Sequence, residues 1–174
     1  KAVRMYQRAF DRINGGFGGA PKFPAPHNLL FLLSFYEKYH DESCLDMAEL
    51  TLMQMYRGGI FDHIGGGFSR YSTDEYFLVP HFEKMLYDNA LLMLAYCRAH
   101  ALTKDKGRAE LYLDAAKRTA DYVLREMTSP DGGFYSAQDA DSEGEEGKYY
   151  VLSPGEIEGV LGKEDAAAFC SYYG

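Results

Sequence analysis

Two stretches hold most of the side chains able to do acid–base chemistry. The first runs from Ile60-Phe61-Asp62-His63-Ile64 through Arg70-Tyr71-Ser72 to Val79-Pro80-His81-Phe82-Glu83-Lys84-Met85-Leu86-Tyr87-Asp88-Asn89-Ala90, and the second is Gln138-Asp139-Ala140-Asp141-Ser142-Glu143-Gly144. His81, Lys84 and Asp88 stand three and four residues apart, so a helix beginning near residue 82 would present them on one face near its N-terminal end. Met85, Leu86, Leu91, Leu92, Met93 and Leu94 leave such a helix little surface on which charge could sit idle, so its polar groups are expected to face a cavity. An imidazole changes charge near neutral pH, which makes His63 and His81 candidate proton shuttles. Glu83, Asp88, Asp139 and Asp141 are candidate carboxylates of the kind that work in pairs across a sugar ring. Phe68, Arg70, Tyr71, Lys84 and Tyr87 are the expected substrate contacts. Each group also has a plain structural reading. Glu83 suits the dipole of a first helical turn, Lys84 can pair with Asp88 four residues on, and either histidine can bond backbone carbonyls in a core.

Metal and cofactor chemistry finds no pattern here. There is no His-x-x-x-His pair, and the calcium-loop-like run from Asp139 would require a bidentate Glu where Tyr150 stands. Cys44, Cys97 and Cys170 are widely spaced and form no Cys-x-x-Cys, so they are expected to be small core residues in a reducing, cytoplasmic setting.

The elements that must position these groups are helical. Apolar recurrence at three and four residues predicts helices near 1–13, 27–40, 43–57, 82–103, 107–128, 153–161 and 163–172. The run from Leu29 to Tyr36 is apolar nearly all round and implies an inner helix. Tyr112, Ala116, Thr119, Val123 and Met127 make a one-sided stripe, which implies an outer one. Between helices a punctuation recurs: Gly15-Gly16-Phe17, Gly65-Gly66-Gly67-Phe68 and Asp131-Gly132-Gly133-Phe134. The three phenylalanines lie 51 and 66 residues apart, about two helices with their connections. Helical hairpins of this length cannot bury their faces alone and must stack or close into a ring. Phe134-Tyr135-Ser136 and Lys148 to Leu152 read as the two strands of one small β-hairpin, and Ser153-Pro154-Gly155-Glu156 reads as a helix start. The fold expected is therefore an all-α, partial α/α toroid over 1–174, about three helical hairpins with one small β-hairpin.

With 174 residues of which 47% are hydrophobic, the chain can bury a core, and its net charge of -8 argues against a phosphate-binding nucleic-acid surface. No apolar run approaches the roughly 20 residues that cross a bilayer, so no membrane partner is expected. Fifteen tyrosines suit a wet, aromatic-lined pocket. The chain opens on Lys1 within an amphipathic pattern, which reads as a piece of a longer protein.

Several motifs together resemble a known family. These are Gly18-Gly19-Ala20-Pro21-Lys22-Phe23-Pro24, Gly66-Gly67-Phe68-x-Arg70-Tyr71-Ser72, the run from Val79 to Ala90, Asp139-Ala140-Asp141-Ser142-Glu143 and Glu146-Gly147-Lys148-Tyr149-Tyr150. They are similar to the YyaL-like proteins. The resemblance implies an N-terminal thioredoxin-like domain followed by an (α/α)6 barrel like those of six-hairpin glycosidases and N-acylglucosamine 2-epimerases. This chain would be the first half of that barrel, with the thioredoxin-like domain and the second half as its partners. A sugar-like small-molecule ligand follows by analogy of fold.

Two functions compete. One is a sugar-active enzyme, either an epimerase or isomerase using His63 or His81, or a hydrolase using the carboxylates. The other is a non-catalytic toroid that binds a ligand or a protein. Terpenoid cyclases also carry Gly-Gly-Phe loops, but the Asp-rich diphosphate-binding motif that reading needs is not in the sequence.

Overall fold

The helices follow the apolar periodicity closely in a computed structural model of the protein, which describes residues 1–173. They are α1 (Ala2–Ala9), α2 (Pro26–Tyr39), α3 (Glu42–Arg57), α4 (Leu86–Leu102), α5 (Lys106–Glu126), α6 (Pro154–Leu161) and α7 (Lys163–Tyr173). The chain divides into two compact units, Lys1–Asp139 and Ala140–Gly174.

In the first unit α2 packs on both α3 and α4, and α4 packs on α5. This makes α2 and α4 the inner helices and α3 and α5 their outer partners, as the stripe on α5 implied. The stripe is buried: Tyr112 and Thr119 are at 0%, and Ala116, Val123 and Met127 are also inside. Leu29, Leu32 and Leu33 of α2 meet Cys44, Ala48, Leu52 and Met55 of α3 and Leu92, Ala95, Tyr96 and Ala99 of α4 in one apolar core. Local chemistry sets the helix ends. Pro26 opens α2 at its first turn, where a missing N–H costs nothing. The Asp41 and Asp105 carboxylates accept from the amides of Ser43 and Arg108 to start α3 and α5.

Two helices are shorter than the periodicity predicts. α1 stops at Ala9 instead of running to residue 13, because the Asp11 carboxylate takes the amides of Ile13 and Asn14 into a turn. α4 starts at Leu86 instead of 82, because Lys84 and Met85 are drawn into strand β3.

The strands are short and differ from the hairpin expected. β1 (Tyr71–Ser72) pairs with β2 (Pro80–His81), and β3 (Lys84–Met85) pairs with β4 (Ala137–Gln138), both antiparallel. A further bridge joins Lys22 to Ser72. The segment after Phe134 therefore pairs with residues before α4 and not with residues 148–152, which are not strand.

The first two Gly-Gly-Phe loops share one construction. Phe10 bridges Phe17, and Phe61 bridges Phe68. In the first, Lys22 Nζ donates to Asp11 Oδ2 at 2.7 Å and to the Gly15 carbonyl at 2.9 Å. In the second, Lys84 Nζ donates to Asp62 Oδ2 at 2.8 Å and to the Gly66 carbonyl at 2.9 Å. Both lysines are buried, and each stands over an aromatic ring, Phe77 for Lys22 and Tyr122 for Lys84. Glycine is required at Gly66: its φ is +81°, and a Cβ there would lie 2.6 Å from the Arg118 carbonyl oxygen.

The second unit holds α6 and α7 packed on each other, with Ala166 buried between exposed neighbours. The capping box foreseen at Ser153 and Glu156 is present. In this unit β5 (Asp141–Ser142) pairs with β6 (Glu145–Glu146). Glu143 and Gly144 turn the chain with φ of 54° and 81°, the pair of positive values a two-residue hairpin needs.

Candidate active site

The acid–base residues meet where β1, β2 and the start of α4 come together. The cross-strand register sets Tyr71 opposite His81, and their rings stack with centroids 4.8 Å apart and planes 15° apart. His81 Nε2 lies 3.9 Å from Glu83 Oε2. The same carboxylate oxygen accepts from Arg70 Nη1 at 2.8 Å, while the Arg70 amide donates to the Glu83 carbonyl at 2.8 Å. Glu83, and then Tyr87, hold the guanidinium firmly ionised. One ion pair and one backbone bond thus tie the strand after Phe68 to the residues before α4.

Asp88 completes the group from the first turn of α4. It is 7% exposed, and burial pushes its pKa up to about 6, with the Arg70 charge opposing the shift and the Glu83 charge adding to it. A helix N-terminus ordinarily favours a carboxylate. Here desolvation outweighs that, which leaves a carboxyl able to hold or release a proton near neutral pH. Tyr87, next in the chain, is half exposed.

His81, Glu83, Asp88, Arg70, Tyr71 and Tyr87 are therefore gathered at one place, whereas the gathering expected from the sequence also took in His63 and the Asp139–Asp141 loop. His81, Lys84 and Asp88 do not share a helix face, since only Asp88 is helical. Lys84 points away into the second Gly-Gly-Phe loop, where burial lowers its pKa and the Asp62 charge pulls it back up. Phe68 lies wholly inside, stacked on Tyr96 at 5.4 Å, and anchors the loop instead of lining an open surface. His63 joins other neighbours. Its Nε2 is 3.2 Å from the Gly58 carbonyl, its ring meets Tyr56 and Phe61, and its own carbonyl accepts from Arg118.

Asp139 ends the first unit, directly after strand β4, and is exposed. Asp141 belongs to the second unit, where it pairs with Glu146. Among the described residues no three of His, Cys, Asp and Glu converge as metal ligands.

Two residues of this region escaped the sequence reading. Asn89 is fully buried and clasps the loop: its Oδ1 accepts from the Phe68 amide at 2.7 Å, and its Nδ2 donates to the Phe68 and Met85 carbonyls. Phe23 lies 5.0 Å from Tyr71, centroid to centroid, and is 48% exposed. Both stand inside the motifs that carry the family resemblance.

The inner and outer helical hairpins, with their polar loops gathered at one end of α4, define the class: an α/α toroid of the kind found in sugar epimerases. Cellobiose 2-epimerase from Bacillus thermoamylovorans superposes with a TM-score of 0.67 at 16% identity, covering 98% of this chain and 50% of that one. Cellobiose 2-epimerase from Spirochaeta thermophila gives 0.67 at 21% identity, over 79% of this chain and 36% of that one. A sugar epimerase from a ruminal bacterium gives 0.65 at 17% identity, over 98% and 50%. No family model matches the sequence. Its homologues are named spermatogenesis-associated protein 20: the human protein is 44% identical and the mouse protein 42% identical, each over 92% of this chain. The chain spans about a fifth of the length of these curated relatives, 21% in both cases. The family read from the motifs is borne out over that stretch. No helix is long and apolar enough to cross a membrane among the described residues.

Proposed function

We propose that this segment supplies one acid–base wall of a sugar-converting site of the epimerase or isomerase kind. The reading is carried by Asp88, a buried carboxyl with a pKa of about 6 set beside the Arg70–Glu83–His81 group. His81 takes a proton from the carbon next to a sugar carbonyl, with Glu83 orienting the ring and stabilising its charge. Arg70 offers its guanidinium to the oxygen on which negative charge develops. Asp88 donates to, or accepts from, a neighbouring hydroxyl. Tyr71 and Tyr87 contact the substrate. Moving a hydrogen from one face of a carbon to the other needs a second acid–base group across the ring. His63 has other neighbours in this segment, so we assign the opposite wall to the remainder of the barrel.

The second half of the barrel and an N-terminal thioredoxin-like domain belong to the same proposal, as does a role in carbohydrate metabolism. A cytoplasmic location is supported by three free thiols at Cys44, Cys97 and Cys170.

The test uses the full-length protein in deuterated water with cellobiose, glucose and N-acetylglucosamine. Exchange of the C2 hydrogen, followed by NMR, is expected for at least one sugar, and His81→Ala is expected to slow it by about a hundredfold to ten-thousandfold. Binding of a sugar without any exchange in the wild type would leave the toroid a ligand-binding module, and the enzymatic reading would fall.

A further inference from the structure

We propose that the cleft between the loop after α1 and helices α3 and α5 binds a single phosphate group that still carries a proton. Glu49 accepts that proton's hydrogen bond, and Arg57 and Arg108 hold the other phosphate oxygens. None of these residues belongs to the acid–base group described above, so the site is a second one.

The observation behind it is a buried carboxylate satisfied on one side only. Glu49 stands in the middle of α3 and is 6% exposed. Its Oε2 accepts from Arg108 Nη1, whereas its Oε1 is sealed from water and has no hydrogen-bond partner among the described residues. Buried side-chain oxygens are rarely left so, because the hydration they give up is not replaced.

Glu49 lines a cleft of about 470 Å³. Arg12 and Arg57 line it as well, and neither guanidinium has a carboxylate partner among the described residues. The charges of Arg108 and Arg57 both reach the Tyr112 hydroxyl, which lies 3.4 Å from the Glu49 carbonyl oxygen. Both cations therefore stand near Glu49. Phe10, Leu50 and Met53 complete the wall, and an apolar wall strengthens the contacts between charges inside it.

Cations without partners call for an anion, while Oε1 calls for a donor. A carboxylate or a sulfate meets the first need only, since it offers acceptors alone. A phosphate that keeps one proton meets both. Its O–H donates to Oε1, and its remaining oxygens accept from guanidinium groups, whose paired N–H bonds match phosphate geometry. The exposed carboxylate of Asp46 also lines the cleft and, with Glu49, repels an anion that brings no proton. Arg108 is half exposed on a long stem, so it turns with the entering phosphate and uncovers Oε1.

Calorimetric titration of the full-length protein with inorganic phosphate, methyl phosphate and sulfate tests the site. At pH 6 a phosphate is expected to bind at least about tenfold more tightly than sulfate. Methyl phosphate gives up its last proton near pH 6, so its affinity is expected to fall by about tenfold or more by pH 8, while inorganic phosphate, which keeps one, falls less. Glu49→Gln supplies an N–H donor of its own and should abolish the preference over sulfate. Arg57→Gln removes a cation that pairs with nothing in the fold, so it is expected to weaken every anion by about tenfold with thermal unfolding unchanged. That variant decides the matter should Glu49→Gln disturb the packing of α3. Binding of inorganic phosphate alone would make the free ion the ligand, and binding of methyl phosphate, with or without the free ion, would make it a phosphate monoester; both outcomes support the site. No phosphate binding, equal binding of sulfate by the wild type, or phosphate binding that Arg57→Gln leaves unchanged would overturn it.

Discussion

In the loops ending at Phe17 and Phe68, an aspartate, a glycine carbonyl and a lysine ammonium close on one another, and α3 or α5 packs against the glycines. In the loop ending at Phe134 the place of the aspartate is taken by Ser129, whose backbone bonds to Gly132 and Gly133 within the turn. Thr128 still bridges Phe134, so the turn keeps its shape, yet Gly133 has nothing within 4 Å and Phe134 is 56% exposed. The contrast separates two jobs. Glycines and the Phe make the turn, whereas the lysine couples it to the following repeat, since Lys22 pairs through its backbone with Ser72 and Lys84 with Gln138. The active-site candidates hang on those couplings: Ser72 neighbours Tyr71, and Lys84 neighbours Glu83.

The largest test of this division is Lys84→Met. It leaves Asp62 inside without its cation and the Gly66 carbonyl without its donor, and a loss of about 3–5 kcal/mol is expected in urea unfolding of the full-length protein. Lys148→Met, which removes a surface pair with Glu143, should change stability by no more than about 0.5 kcal/mol. Equal effects would erase the distinction between a buried lysine clasp and a surface lysine pair.

Carboxylates should divide in the same way with pH. Burial works to raise the Asp62 pKa, but the Lys84 charge and the amides of Gly65 and Ile64 hold it below the ordinary range, and Asp11 is held low by its amides and Lys22. The unfolded chain binds protons more readily at these two sites, so their stabilisation is complete above the ordinary carboxylate pKa and is lost as pH falls below about 4. Asp88 has the opposite sign. Its pKa of about 6 stands above the ordinary 3.8, so the native state keeps the proton in between and stability declines as pH rises through that window. Asp88→Asn is therefore expected to match the wild type below pH 4 and to exceed it above pH 6 by up to about 3 kcal/mol, while proton-transfer activity falls. Unfolding free energies measured from pH 4 to 8 decide it, and a variant less stable than wild type at pH 7 would contradict the assignment.

The smallest effect concerns the glycines. Gly66→Ala should cost about 1–3 kcal/mol from left-handed strain and collision with Arg118, and Gly133→Ala no more than about 0.5. The difference in melting temperature between the two variants measures the left-handed strain and the close covering of the second loop together.

The helices and the three-fold punctuation were legible because apolar spacing and Gly-Gly-Phe are local signals. The density of polar and aromatic residues between Ile60 and Ala90 marked the region where Arg70, Tyr71, His81, Glu83 and Asp88 meet, but not which of its residues meet there. The fate of Lys84 was not legible, because a buried lysine declares itself only through its distant partner. A signal did exist: Phe10-Asp11 and Phe61-Asp62 each precede a Phe that stands seven residues after their own, at Phe17 and Phe68, and a lysine follows in both. Read as a repeat, Phe-Asp would have assigned Lys84 to the loop and taken it off the predicted helix face. The pairing of Ala137 with Met85 was hidden for the same reason, since it joins residues 52 apart and leaves no local alternation.

The bond between each lysine's backbone and the next repeat also has an order in time. Ser72 lies 50 residues after Lys22, and Gln138 lies 54 after Lys84. As the chain emerges from a ribosome, each loop can form its turn at once, but it cannot finish its pairing until some fifty further residues have appeared. Repeats are then completed from the N-terminus forward, each one held half-made by the absence of its successor.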